Sequence, residues 1–386
     1  MSANPEVVGD NEDERVVRRW KGTLEDVFDP QNNALNAWRL ILATGVILCH
    51  AWPLTGRRIA FDPLHQLMED VWVDGFFAIS GFLITWSWFR QKRIRDYFFA
   101  RGLRLLPGLW ICLIITAFVI APIAVAIQGG SVSKLLLSRA PFEYVLGNSA
   151  VMLLEHDIAG TPSGIPWLGE WNGSLWTLLW EALCYVAIAG LGIAGLLQRR
   201  WVILTLLALV VYWSAILPPY NRLIDAPPGA HVQFDAATQQ IVMSGMAARF
   251  GLMFLAGALL YRFRDAIPAR WSLVALSVAI VLGASLLPNY RVVAAIPLAY
   301  AIIVSGALLR NKRLRLRTDL SYGVYIYAFP IQQLLVVSGL AFLNPMVFAA
   351  VAAIATLPMA ALSWFVVEKP AIGLKSRFKR RNLADG

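Results

Sequence analysis

Apolar runs long enough to cross a membrane recur along the chain from Leu35 almost to the C-terminus, separated by short polar or Pro/Gly-rich breaks. A hydrocarbon core takes roughly 20 apolar residues of helix per crossing. Hydropathy and the breaks predict helices near residues 35–54, 71–89, 103–127, 174–197, 201–217, 241–261, 271–287, 291–309, 320–340 and 345–367. The pattern is that of an all-α integral membrane protein, a bundle of about ten transmembrane helices filling residues 35–370. Residues 1–34 mix acidic and basic side chains without an apolar stretch, which excludes a cleavable signal peptide and predicts a partly disordered cytoplasmic tail. Residues 371–386 are a basic tail. The longest break, residues 128–173, exceeds a simple connector. Its moderately apolar part near residues 142–154 suits the membrane interface, so the segment is a candidate lid or substrate surface.

Composition removes the soluble alternatives. Charged residues make up 15% of the chain and hydrophobic residues 58%, against about 25% charged in an ordinary soluble domain. With the N-terminus inside, the inner segments hold 25 Lys and Arg and the outer loops six, with Arg39, Arg104 and Arg249 in or at the edge of helices. That bias places both termini in the cytoplasm. The formal charge of +10 lies in short clusters between apolar runs, which suits a lipid surface and not nucleic acid. Cys49, Cys112 and Cys184 all fall within apolar runs and offer neither a disulfide framework nor a metal-ligand spacing. The chain shows no repeat at fixed period and no pair of inverted broken helices, which weakens a secondary-transporter reading.

An ionisable side chain at mid-membrane costs several kcal/mol, so each one asks for a reason. Arg39 and His50 stand 11 residues apart in the first helix, which returns them to one face about 16 Å apart along the axis. Such a spacing fits a long thin ligand entering from the cytoplasm. Glu181 lies seven residues into a helix entering from the outer side, at a depth close to that of His50 by helical rise. A carboxylate beside an imidazole fixes its tautomer and stabilises the imidazolium, the arrangement a general base needs to take a proton from a hydroxyl. The blander alternatives are an interfacial histidine and a structural glutamate. Asp74 is expected to be a helix-start group favoured by the dipole. His65 and His156 are expected to be loop histidines without partners.

Several separated blocks then resemble one family, the bacterial membrane acyltransferase family 3, whose members O-acylate sugars on surface polysaccharides and related glycoconjugates. The first helix, Leu35-Asn36-Ala37-Trp38-Arg39 through His50, is similar to the family's leucine-rich opening with Arg, ten intervening residues and His. Trp72-Val73-Asp74-Gly75-Phe76-Phe77-Ala78-Ile79-Ser80-Gly81-Phe82 resembles its second helix. Arg101-Gly102-Leu103-Arg104 resembles its Arg-x-x-Arg, and Ser174-Leu175-Trp176 through Glu181 its Ser-Leu-Trp block ending in Glu. Ser321-Tyr322-Gly323 through Pro330 and Glu368-Lys369-Pro370 match its last two helices. Asn36, Trp72 and Ala328 depart from the family's usual Asp, Gly and His. The last departure argues against a second histidine in the mechanism.

The resemblance implies a multi-pass enzyme of the bacterial cytoplasmic membrane that uses acyl-coenzyme A, commonly acetyl-coenzyme A, with no metal. Arg101, Arg104 and Arg39 would hold the donor, His50 would act as base or acyl carrier, and Glu181 would assist it. The expected acceptor is a carbohydrate or lipid-linked sugar. The chain stops soon after the last predicted helix, so acceptor recognition is expected from the bundle and its outer loops. Two alternatives stay open: a transporter or flippase for a lipid-linked sugar or hydrophobic metabolite, and an acyltransferase acting on a small molecule such as a macrolide.

Overall fold

The structure, a computed structural model, describes residues 22–91, 93–218, 235–309, 311–314, 316 and 318–374. Most of the predicted N-terminal and C-terminal tails and the outer-loop Arg222 lie outside the described residues. Among the described residues the secondary structure is helical, and a helix stands at each predicted position. In chain order these are α1 (Leu35–Leu54), α2 (Asp62–Arg90), α3 (Ile94–Ile127), α4 (Trp176–Ile193), α5 (Arg200–Ile216), α6 (Ala236–Arg262), α7 (Trp271–Ala284), α8 (Arg291–Leu308), α9 (Ser321–Val337) and α10 (Pro345–Leu374). Six of them, α1, α3, α4, α6, α8 and α10, are long and apolar enough to cross a membrane, and α5 and α7 are shorter apolar helices. The chain is a membrane protein on these helices.

The helix starts follow local chemistry. Asn33 Oδ1 accepts the Leu35 N–H at 3.0 Å and Asp235 Oδ1 accepts the Thr238 N–H at 3.0 Å, each satisfying a backbone donor that the first turn leaves free. α2 begins nine residues before its predicted start, with a proline in its first turn. Asp74 is therefore not a helix-start group, because it lies well inside α2 and is fully buried. The extension lets α2 carry Asp70 and Asp74 on one face, four residues apart. Arg249 of α6 bonds Asp74 at 2.8 Å and Asp70 at 3.0 Å, and Arg291 of α8 bonds them at 2.7 Å and 2.5 Å. The Tyr290 hydroxyl also donates to Asp74.

Between these charges and the other end of α2 the two helix backbones touch. A Cβ on Gly81 would run into the carbonyl of Phe254, and one on Gly257 into the carbonyl of Ala78. Small residues at such a crossing are what allow close packing where lipid gives no hydrophobic drive. α9 occupies the centre of the bundle, buried at every residue from Ser321 to Gln333. Its Pro330 leaves the Ile326 carbonyl without a helical donor, and Cys112 Sγ of α3 donates to that carbonyl at 3.3 Å.

The long segment 128–173 is folded on the bundle. It contains the short helices Val132–Leu136 and Ala140–Asn148. Asn148 Oδ1 accepts the backbone N–H groups of Leu154 and Glu155 at 2.8 and 3.0 Å, closing the loop on itself. Leu137, Phe142, Leu146 and Leu154 are exposed, an apolar surface of the kind that suits an interface. Trp171 is fully buried.

Candidate active site

α1, α2, α3, α4 and α9 surround a cavity of about 710 Å³, the open solvent at its mouth included, lined among others by Arg39, Ser80, Arg101, Arg104, Glu181, Tyr185, Tyr322 and Tyr325. The structure thus brings four of the five residues singled out from the sequence to one place. Arg39 and Arg104 converge on a single carboxylate oxygen, Asp319 Oδ2, at 3.0 and 2.5 Å. Ser321 Oγ donates to the other oxygen at 2.5 Å. Burial alone would raise the Asp319 carboxyl, but the guanidiniums of Arg104 and Arg39 outweigh it and hold the group well below the usual carboxylate range. Asp319 was not singled out from the sequence. Its signal was there, since it is the lone acidic residue among the five basic ones of residues 310–319.

Arg101 donates to Ser87 Oγ at 3.1 Å and lies over the Tyr185 ring, while its buried Nε has no partner among the described residues. Glu181 accepts from the Tyr185 hydroxyl at 2.5 Å and from Ser80 Oγ at 3.3 Å. The three guanidiniums Arg39, Arg101 and Arg104 line the cavity together with the Glu181 carboxylate, and Asp319 bridges two of them.

His50 stands apart from the cavity lining and does not pair with Glu181. Its ring meets Phe329 edge-on at 5.1 Å and Trp167 at 6.1 Å, and its buried Nδ1 has no partner among the described residues. The expected pairing rested on equal depth, which does not fix the direction in which a side chain points. α4 packs on α2 and α6, so Glu181 meets Ser80 of α2 and not the face of α1. The predicted common face of Arg39 and His50 is seen in their partners: Arg39 meets Asp319, just before α9, and His50 meets Phe329 within α9. Tyr325 lines the cavity, and Phe329 follows it by one helical turn, about 6 Å of rise. Gly173 makes room for Phe329, because a Cβ there would stand 2.7 Å from the ring.

The segment 128–173 supplies the rest of the histidine's surroundings. Trp167 Nε1 donates to Glu170 Oε2 at 2.8 Å, and His156 Nδ1 lies 3.4 Å from Glu170 Oε1. His65 likewise has a partner, Glu69 at 3.1 Å one turn along α2, so neither histidine is the unpartnered loop residue expected from the sequence. The hydrogen bond to Glu170 raises the His156 pKa above its ordinary 6.5, with burial opposing and the charges of Glu170, Asp157 and Glu155 adding to it. A raised folded-state pKa means that this clamp is fully present below the ordinary value and is lost as pH rises through the raised one. Limited proteolysis of the outer segment should therefore be faster near about pH 8 than near about pH 6, and His156→Gln should remove the difference. Equal wild-type rates at both pH values would refute a His156 clamp.

Comparison with known proteins gives this geometry a family. The acyltransferase domain profile of family 3 matches residues 32–365. A protein of Shigella phage Sf6 named O-acetyl transferase is 27% identical over 349 residues, covering 88% of this chain and 96% of its own. Nodulation protein 10 of Rhizobium leguminosarum bv. viciae is 27% identical over 377 residues, covering 91% of this chain and 96% of its own. No solved structure matches the chain significantly. With the match spanning residues 32–365, the chain belongs to acyltransferase family 3 and is an enzyme that transfers acyl groups.

Proposed function

We propose that this protein moves an acyl group, acetyl in the first instance, from cytoplasmic acyl-coenzyme A to a hydroxyl of a cell-surface or lipid-linked carbohydrate. The name of the phage relative, O-acetyl transferase, supports both acetyl and an oxygen acceptor. The observation that carries the proposal is the two-ended arrangement along α1 and α9. Arg39, Arg101 and Arg104 gather at one end, and His50 stands about 16 Å further along α1. The excess of Lys and Arg in one set of loops supports a bacterial cytoplasmic membrane with the arginine end facing inward.

The donor contributes an activated thioester. Arg101 offers its unpaired Nε to a phosphate, and Arg39 and Arg104, sharing one carboxylate, retain donors for further oxygens. Glu181 tempers the positive charge and holds the Tyr185 hydroxyl in the cavity wall. In the transfer step His50 takes the acceptor's hydroxyl proton as that oxygen bonds to the acyl carbon, the carbon–sulfur bond breaks, and the proton passes to the leaving sulfur. A ring nitrogen without a partner is free for that proton. In an alternative route His50 itself takes the acyl group before the acceptor does.

The test is release of free coenzyme A by the purified protein in liposomes, with acetyl-coenzyme A and a glycan extract of the producing bacterium. Acceptor-dependent release is expected, and Arg101→Ala should raise the KM for acetyl-coenzyme A by about tenfold or more, the worth of a charged hydrogen bond. A folded wild type that releases no coenzyme A but moves lipid-linked sugar across the bilayer would overturn the proposal.

A further inference from the structure

Two neighbouring glutamines in α9, Gln332 and Gln333, are fully buried, a costly placement in an apolar helix unless both ends of each amide are used. Only one end is. Gln332 Nε2 donates to the Ile47 carbonyl of α1 at 2.9 Å. Gln333 Nε2 donates to the carbonyls of Trp167 and Glu170 in the outer segment at 3.0 and 2.8 Å. Both Oε1 atoms are buried without a partner among the described residues. The amide orientation is fixed by its surroundings, because every anchor is a carbonyl and a flipped amide would set oxygen against oxygen. The carbonyl ends therefore must point away from the anchors.

These orphans lie in the layer of His50. Ile47, which anchors Gln332, is one turn before His50 on α1, and Phe329, whose ring packs on His50, is one turn before Gln332 on α9. Trp167, whose carbonyl anchors Gln333, packs on both His50 and Phe329. With His50 Nδ1 the layer holds three unpartnered buried atoms. Two are obligate acceptors, and the third is an acceptor whenever the imidazole acts as a base. Unsatisfied buried polar atoms of one kind grouped in one layer ask for a partner rich in the opposite kind.

We infer that Gln332 and Gln333 form the acceptor subsite, their amide oxygens accepting hydrogen bonds from hydroxyls of a polyhydroxylated acceptor while His50 takes the proton from the one that reacts. The inference rests on the proposed carbohydrate acceptor and assigns it to the outer end of α9, away from the arginines. The glutamines are positioning and specificity groups. They also tie the acceptor to the outer segment, because Gln333 bonds the same stretch that sets Trp167 beside His50.

The experiment is steady-state kinetics of Gln332→Met and Gln333→Met in liposomes, with acetyl-coenzyme A varied against a fixed glycan extract and the extract varied against fixed acetyl-coenzyme A. Methionine keeps the length and removes the polar end. Expected is a rise of about tenfold in the acceptor KM for each variant, one hydrogen bond's worth, with the KM for acetyl-coenzyme A unchanged. Where a methionine variant fails to fold, Gln→Lys at the same position keeps N–H donors toward the anchoring carbonyls and lacks the acceptor oxygen, so it should raise the acceptor KM in the same way. An unchanged acceptor KM in folded variants, or an equal rise in both KM values, would overturn the subsite. If the wild type transfers acetyl to no component of the extract, the carbohydrate reading itself falls, and that failure is visible before any variant is compared.

Discussion

His50→Ala lowers acceptor-dependent coenzyme A release by about 10²- to 10⁴-fold, the range expected for removal of a general base, while the protein stays folded and inserted. The second half of that expectation follows from the surroundings of His50. Among the described residues it makes no ion pair and its Nδ1 is unpartnered, and its ring packs edge-on against Phe329 and Trp167. Its removal therefore orphans no charge and breaks no buried network, leaving the loss of packing as the structural cost. His50→Gln retains polarity without the imidazole's basicity and should be as inactive as His50→Ala. The donor KM should not move, because the arginine cavity excludes His50 from its lining. Retained turnover in either variant would dismiss His50 as both base and acyl carrier. An acyl label that survives in the denatured wild type and is absent from His50→Gln would select the covalent route.

Asp74→Asn is expected to have the largest effect on stability, a loss of about 3–5 kcal/mol, although Asp74 is remote from the proposed chemistry. Asparagine keeps the shape and removes the charge that Arg249 and Arg291 share. Those guanidiniums are then left with Asp70 alone, in a place where the Asp74 side chain is fully buried and the two arginine side chains are 9% and 5% exposed. Breaking one member of a buried pair is worse than never having had it, since the partner's desolvation is no longer offset. The loss is a large share of the roughly 5–15 kcal/mol that holds a typical protein folded. Thermal unfolding in detergent should show it, and Asp70→Asn combined with Asp74→Asn should depart from additivity because the two carboxylates share both arginines. A folded Asp74→Asn protein with wild-type unfolding behaviour would show that the cluster contributes little to assembly.

The two expectations separate what was readable along the chain from what was not. The shared face of Arg39 and His50 was legible because the helix period alone couples them, and a local rule needs no knowledge of neighbours. The pairing of His50 with Glu181 was an inference across helices from depth, and the packing of α4 on α2 sends Glu181 to Ser80 and Tyr185 instead. Asp74 was misjudged because α2 was read from its apolar part, residues 71–89, whereas the helix also includes a polar first portion beginning at Asp62. Hydropathy finds the part of a helix that needs lipid or an apolar core and misses a polar end whose charges are met by Arg249 and Arg291.

Along the chain alone, the all-helical class, the apolar part of each long helix and the block pattern of the family were legible. Each of these depends on the composition of a segment or on the 3.6-residue period. It took the packing of the helices to show that Arg39 and Arg104 share Asp319, that Asp70 and Asp74 face two arginines, and that Gln332 and Gln333 are buried with their amide nitrogens on Ile47, Trp167 and Glu170. Those facts depend on the rotation of each helix about its own axis and on which helices touch. In an apolar surrounding many rotations bury similar apolar area, so close-packed glycines and buried polar partners, contributed by residues far apart in the chain, select among them.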